Sequence, residues 1–322
     1  MGLLRLRMTM IGTLAVLIGL STLFFTIILT WLKVYNLFAI LSFVILFNIA
    51  QWLIAPYLID ALYSVRAVSR SEQPRLHSIV ERLSQKIGLK MPRVMIANIP
   101  MPNAFAYGSP IAGIRVAVTS GLLNELEEEE VEAVLGHELG HLKHRDVQIM
   151  MFASVLPAIF YYIGYSMMLS AWFGGDRRRE GGGAAPILIG IACMAIYWIL
   201  TLFVLYLSRL REYYADRLSA TNVEDGPRKL SEALAKIVSS TGRMRHYHRE
   251  TSSFNSFKAL FIEDPDRAEK DELELAGARR FKTDERLVQE ILSKKVTTID
   301  RVLEVLSTHP NIMKRLIALQ SL

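Results

Sequence analysis

GHELGHLKHRDVQIMMFASVLPAIFYYIGYSMM, residues 136–168, decides how this chain is read. It opens with histidines and charged side chains and, past Asp146, loses every charge. Residues four apart on a helix lie about 40° apart around the axis and one turn along. The imidazoles of His137 and His141 can therefore face one cation, and Glu138 beside them can reach a water on that cation as a general base. The same helix leads into an uncharged run, 147–173, long enough to cross about 30 Å of hydrocarbon. The stretch predicts metal-dependent hydrolytic chemistry at a membrane surface.

Working outward, the composition agrees. The chain has 322 residues, 52% of them hydrophobic and only 21% charged, with a mean hydropathy of +0.28. That excludes an ordinary soluble enzyme and requires a bilayer to solvate part of the chain. The net charge of +6 needs no nucleic-acid partner, because basic flanks of membrane spans produce the same balance. Cys193 is the single cysteine, so no intramolecular disulfide forms. Arg5 and Arg7 precede an apolar run too long for a signal peptide, which predicts a retained anchor.

Four uncharged segments, 8–32, 34–59, 147–173 and 184–208, predict four spans arranged as two hairpins. The first turns at 33–36 and the second at the glycine-rich run 174–183, with Pro157 and Pro186 kinking or starting their helices. Each hairpin returns the chain to the face it left, so 60–146 and 209–322 share one side. Basic residues flanking the spans there, including Arg66, Lys143, Arg145, Arg209 and Arg211, predict that this side is cytoplasmic. Arg177, Arg178 and Arg179 run against that rule, offset in part by Asp176 and Glu180, and leave open a second hairpin partly shielded by protein.

The predicted fold is mainly α: four transmembrane helices plus a cytoplasmic zincin-like α+β domain with a small antiparallel sheet. The division expected is a first hairpin at 1–59, a protease domain at 60–146, a second hairpin at 147–208, and a C-terminal part of the protease domain at 209–322. In the soluble part, Leu76, Ile79, Val80 and Leu83 form the apolar stripe of a helix over 74–87, stopped by Gly88. Strands are predicted at 93–97, 104–108 and 115–119, divided by Pro, Asn and Gly. Helical spacing resumes at Glu128, and the acidic run 127–130 suits a helix N-terminus. Further helices are expected to continue the fourth span through Ala220 and to cover 227–238, 284–293 and 298–307.

A hydrolytic zinc site takes a third protein ligand and keeps a position for water. Glu212 follows the fourth span by four residues and His141 precedes the third by six, so the second hairpin brings the two together. Asp216, one turn beyond Glu212, can accept the outer N–H of a ligating histidine. His144 is not taken as a ligand, since three positions after His141 it points away from the pair. His246 and His248 read as a solvated loop.

With these residues assembled, HELGH at 137–141, SRLREYYAD at 208–216, NAFAYG at 103–108 and His309-Pro310 together resemble the HtpX-type membrane zinc endopeptidases. CAAX prenyl proteases are more distant relatives. The resemblance covers most of the chain and departs over 243–297. It implies one Zn2+ per chain held by His137, His141 and Glu212, with Glu138 as the base and Asp216 behind a ligating histidine. It also implies that Asn103, Ala104, Phe105 and Ala106 lie on an edge strand that binds substrate backbone. His309 would donate to the tetrahedral oxyanion, and Arg315 would position it.

The function implied is hydrolysis of misfolded or membrane proteins at the cytoplasmic surface of the cell membrane, as quality control under stress. Its partners would be protein or peptide substrates and the lipid bilayer, with no nucleic acid. Two alternatives differ in kind. One is specific processing of lipidated peptides, which needs a large intramembrane chamber. The other is a non-catalytic scaffold with structural zinc, which leaves Glu138 without a task.

Overall fold

The computed structural model describes residues 37–173, 185–247, 284–293 and 297–322. The first predicted span, at 8–32, and the hairpin turns at 33–36 and 174–183 lie outside the described residues, as does His248. Three described helices are long and apolar enough to cross a membrane, over Ile45–Leu62, Gln148–Leu169 and Pro186–Asn222. They belong to α1 (Leu37–Leu62), α5 (Asp146–Phe173) and α6 (Ala185–Asn222). The chain divides into two compact units, 1–52 with 148–207 and 53–147 with 208–322.

In the first unit, α5 and α6 meet through glycine. A Cβ on Gly164 would come within 3.0 Å of the Gly190 carbonyl oxygen, and one on Gly190 within 2.7 Å of Met168 Cγ. Small residues allow such backbone approach where lipid offers no hydrophobic drive between helices. Tyr161 stacks on Tyr165 beside this contact, while Leu188, Ile191 and Phe203 are exposed, as lipid-facing side chains are.

The second unit contains a four-stranded sheet in the order β1-β2-β4-β3, made of β1 (Val65–Ala67), β2 (Arg93–Ala97), β3 (Ala104–Ser109) and β4 (Gly113–Thr119). The sheet is mixed, which corrects the antiparallel sheet expected from sequence. β1 pairs antiparallel with β2 and β3 antiparallel with β4, but β2 and β4 run parallel, with Arg93 opposite Arg115 and Ala97 opposite Thr119. The cause lies in the link 98–103. Pro100 and Pro102 lack amide donors, so it makes no tight hairpin. Instead it carries β3 one place outward, and β4 returns into the gap. Thr119 Oγ1 secures the crossing by accepting from Asn103 N and donating to Met101 O, at 2.9 and 2.8 Å.

α2 (Pro74–Ile87) forms where predicted and ends at Gly88, whose φ of 64° is left-handed backbone. After α3 (Ser120–Glu125), α4 (Glu128–Lys143) begins with a capping box between Glu127 and Glu130. Its buried Val131, Val134, Leu135 and Leu139 join the core built with α2 and with α7 (Gly226–Tyr247). α7 continues well past the predicted 238, because Ser239, Ser240 and Thr241 are buried, and it takes in His246, which was expected in a loop. α8 (Asp284–Ser293) and α10 (Ile312–Gln320) pack on α7, and α9 (Thr298–Val305) leads to the loop carrying His309.

Candidate active site

α4 turns His137, Glu138 and His141 to one side, and α6 supplies the opposing wall. Contact is close because Gly136 and Gly140 face Ser219 and Ala215. A Cβ on Gly140 would stand 3.0 Å from Ala215 Cα, and one on Gly136 2.9 Å from Ser219 Oγ. Ser219 Oγ also donates to Ala133 O at 2.6 Å, bonding one helix to the other. Approach at this distance lets α6 side chains reach the histidines.

The inner nitrogens converge. His137 Nε2 and His141 Nε2 are 3.2 Å apart; His137 Nε2 lies 3.5 Å from Glu212 Oε2 and His141 Nε2 lies 3.5 Å from Glu212 Oε1. A tetrahedral zinc with bonds of about 2.0–2.1 Å separates its ligand atoms by about 3.3 Å. The 3.2 Å between the two imidazole nitrogens, with a carboxylate oxygen facing each, therefore suits such an ion. Glu212 Oε2 is buried and takes no hydrogen bond among the described residues, an acceptor that a cation would satisfy. Burial opposes charge on His137, which is 1% exposed, yet Asp216 and Glu212 outweigh it and push its pKa up to about 10. The pocket favours positive charge.

Behind each imidazole stands a carboxylate, and behind each carboxylate an arginine. His137 Nδ1 lies 2.8 Å from Asp216 Oδ1, and Arg315 grips Asp216 through Nε and Nη2 at 2.9 and 2.7 Å. Arg315 is 0% exposed and its Nη1 comes 3.7 Å from Glu212 Oε2, so it sits beneath the carboxylates rather than at the open side. His141 Nδ1 lies 2.6 Å from Asp146 Oδ2, which Arg211 Nε approaches at 3.1 Å. Sequence reasoning missed Asp146 and Arg211. The signal was Asp146 itself, a buried acid between a metal-type helix and an apolar one. Arg145, at φ 56°, breaks the helix and swings Asp146 back to the ring.

Glu138 is buried beside the two histidines, and the Ala106 N–H donates to its carboxylate. Burial lifts its pKa above the usual carboxylate value, against a smaller downward pull from the two imidazoles and the Ala106 amide. Ala106 belongs to β3, an edge of the sheet. Thr119 N donates to Asn103 O, so Asn103, Phe105 and Tyr107 direct their backbone groups to β4, while Ala104, Ala106 and Gly108 turn theirs to the free edge. The Asn103, Ala104 and Phe105 side chains are buried, which leaves the backbone as the surface available there.

His309 Nε2 lies 3.9 Å from Glu212 Oε1. Its loop is held by Arg209 of α6, whose Nη1 donates to the carbonyls of Glu304, Val305 and Ser307 at 2.8, 3.0 and 2.7 Å. His144 points elsewhere, exposed and edge-on to Tyr214. A second acidic group, Glu130, Glu232 and Asp284, has the Lys236 ammonium 2.8 Å from Glu130 and 2.9 Å from Asp284. It serves as a salt-bridge cluster under the capping box.

The sequence profile of peptidase family M48 matches residues 70–322, the whole of this site included. The chain belongs to peptidase family M48. This M48 peptidase is 38% identical over 291 residues to a protease HtpX homolog of Thermoplasma acidophilum, covering 89% of this chain and 86% of the relative. It is 39% identical over 269 residues to a protease HtpX homolog of Aeropyrum pernix, covering 83% and 81%. To protease HtpX homolog 2 of Saccharolobus solfataricus it is 44% identical over 204 residues, covering 62% and 63%. The crystal structure of S. mikatae Ste24p superposes with a TM-score of 0.57 at 17% identity, over 95% of this chain and 64% of that one. At that identity the match speaks for the fold alone. The M48 peptidase is thus a metalloprotease, and its long apolar helices make it a membrane protein.

Proposed function

We propose that this M48 peptidase is a zinc endopeptidase of the cell membrane, with its site on the cytoplasmic face, that hydrolyses peptide bonds in misfolded and membrane proteins. The observation that carries the reading is the convergence of His137 Nε2, His141 Nε2 and the two oxygens of the Glu212 carboxylate, one facing each imidazole, with Glu138 grouped with the histidines. His137, His141 and Glu212 hold one zinc ion. When bound, zinc supplies Lewis acidity, polarising the scissile carbonyl and bringing the pKa of water to about 7.

Glu138 accepts the proton of the attacking water and passes it to the leaving amine. No bond forms between substrate and protein. The Ala106 N–H fixes the Glu138 carboxylate against β3, so base and substrate strand are positioned by one contact. Substrate backbone pairs along the outer edge of β3 at Ala104 and at the Ala106 carbonyl, the Ala106 N–H being held by Glu138. His309, close to Glu212, donates to the oxygen on which charge develops. Asp216, backed by Arg315, keeps the His137 ring in one tautomer.

The cytoplasmic assignment is supported by basic residues flanking the spans on the site's side. Quality control of membrane clients is supported by the family resemblance and by the three long apolar helices among the described residues. The purified full chain in lipid should cleave an unfolded, unprenylated membrane protein, lose that activity to a chelator and regain it on addition of zinc. Cleavage unaffected by chelation, or restricted to prenylated peptides, contradicts the reading.

A further inference from the structure

The β3–β4 hairpin has an uncharged tip, and its side-chain contacts fix which way that tip points. Pro110, Ile111 and Ala112 make the loop, and Gly113, at φ 74°, is the left-handed residue that closes a three-residue hairpin. Pro110, Ile111 and Gly113 are exposed, Ile111 at 62%. No charged residue occurs from Gly108 to Ile114.

Contacts with α1 set the direction. Tyr107 Oη donates to Asp60 Oδ1 at 2.6 Å, and Arg115 pairs with the other oxygen of Asp60. Nearer the tip, Ser109 Oγ donates to Leu53 O at 3.0 Å, beside the break that Pro56 makes in the helix ladder. Leu53 and Asp60 are separated by about two helical turns, on the order of 10 Å. The hairpin therefore runs back along α1, away from its C-terminal end. Both Leu53 and Asp60 belong to Ile45–Leu62, apolar enough to cross a membrane, and Ile54, Leu58 and Leu62 on it are exposed.

Charge on this face is neutralised. Arg115 is 4% exposed, paired with Asp60 and faced by the Tyr57 and Tyr107 rings at 5.3 and 5.8 Å. That arrangement suits a cation placed near lipid.

We propose that the tip, Ser109–Gly113, inserts into the boundary between lipid headgroups and acyl chains, so that β3 leads from Glu138 to the bilayer. The inference rests on the membrane reading above and narrows its substrates to juxtamembrane segments of membrane-anchored polypeptides. Ala106, which touches Glu138, is followed by Ser109 after about 10 Å of strand. A chain added along that edge reaches lipid within roughly three or four residues of the base.

Cys193 is the single native cysteine, so site-directed spin labels test this in a Cys193→Ser background. Ile111→Cys, Leu58→Cys and Ser71→Cys are each labelled in the full chain within phosphatidylcholine nanodiscs, and relaxation by oxygen is compared with relaxation by a water-soluble nickel chelate. The label at 111 should behave like the one at 58, accessible to oxygen and shielded from nickel, and unlike the exposed turn residue 71. Aqueous behaviour at 111 with lipid behaviour at 58 overturns the proposal alone. Aqueous behaviour at both overturns the membrane reading of α1 with it. In activity, Ile111→Asp should slow cleavage of an acyl-tethered peptide about tenfold and leave the same peptide, untethered, unchanged. No loss on the tethered peptide, or equal loss on both, counts against the inserted tip.

Discussion

At the scale of single residues, the site is two matched relays, His137–Asp216–Arg315 and His141–Asp146–Arg211. Loss of a partner of this kind typically costs about 10–100-fold in metal affinity. Asp146→Ala should therefore weaken zinc binding by about 10–100-fold in a chelator-competition titration. Wild-type affinity would mean that the short His141–Asp146 contact has no role in holding metal. Arg315→Leu strips the only guanidinium bonded to buried Asp216 among the described residues, next to Glu212. Breaking a buried pair costs about 3–5 kcal/mol, so a clear drop in the denaturation midpoint is expected. The facing of His137 and His141 was legible in sequence because helical periodicity fixes which side chains share a face, and the nearness of Glu212 because a hairpin returns the chain to the side it left. Asp146 was not, since the left-handed turn at Arg145 interrupts that periodicity and no pattern runs through it.

At the scale of elements, the active site depends on how closely α4 approaches α6. Gly140→Ala places a methyl 3.0 Å from Ala215 Cα, with backbone rather than a movable side-chain tip in the way. Overpacking of this order costs about 1–3 kcal/mol. Because the strain falls between the helices carrying His141 and Glu212, zinc affinity should fall with the melting temperature. A variant that loses stability and keeps full affinity would place the metal geometry under other control. Elements with strong periodicity were legible nearly to the residue: α2 with its glycine stop, β2, and the N-terminus of α4. The parallel pairing of β2 with β4 was not, because strand order follows the path of the 98–103 link and leaves no trace in alternation. β1, at three residues, is too short to show a period.

At the scale of the whole molecule, the residues of the candidate site lie close in the chain to apolar stretches long enough to cross a membrane. α6 runs from Ala185 to Asn222, so an apolar stretch and Glu212 belong to one helix. Composition alone made the membrane class legible, and the order of motifs along the chain made the family legible. What sequence could not give was the hairpin's course along α1, which depends on Asp60 and Leu53 contacts made far apart in the chain. The central claim is that His137, His141 and Glu212 share one ion. Elemental analysis of purified protein tests it: one zinc per chain in the wild type and in Glu138→Gln, the latter inactive, and under about a tenth of that in Glu212→Ala and His141→Ala. Full zinc in Glu212→Ala, or wild-type cleavage by Glu138→Gln, would contradict the account.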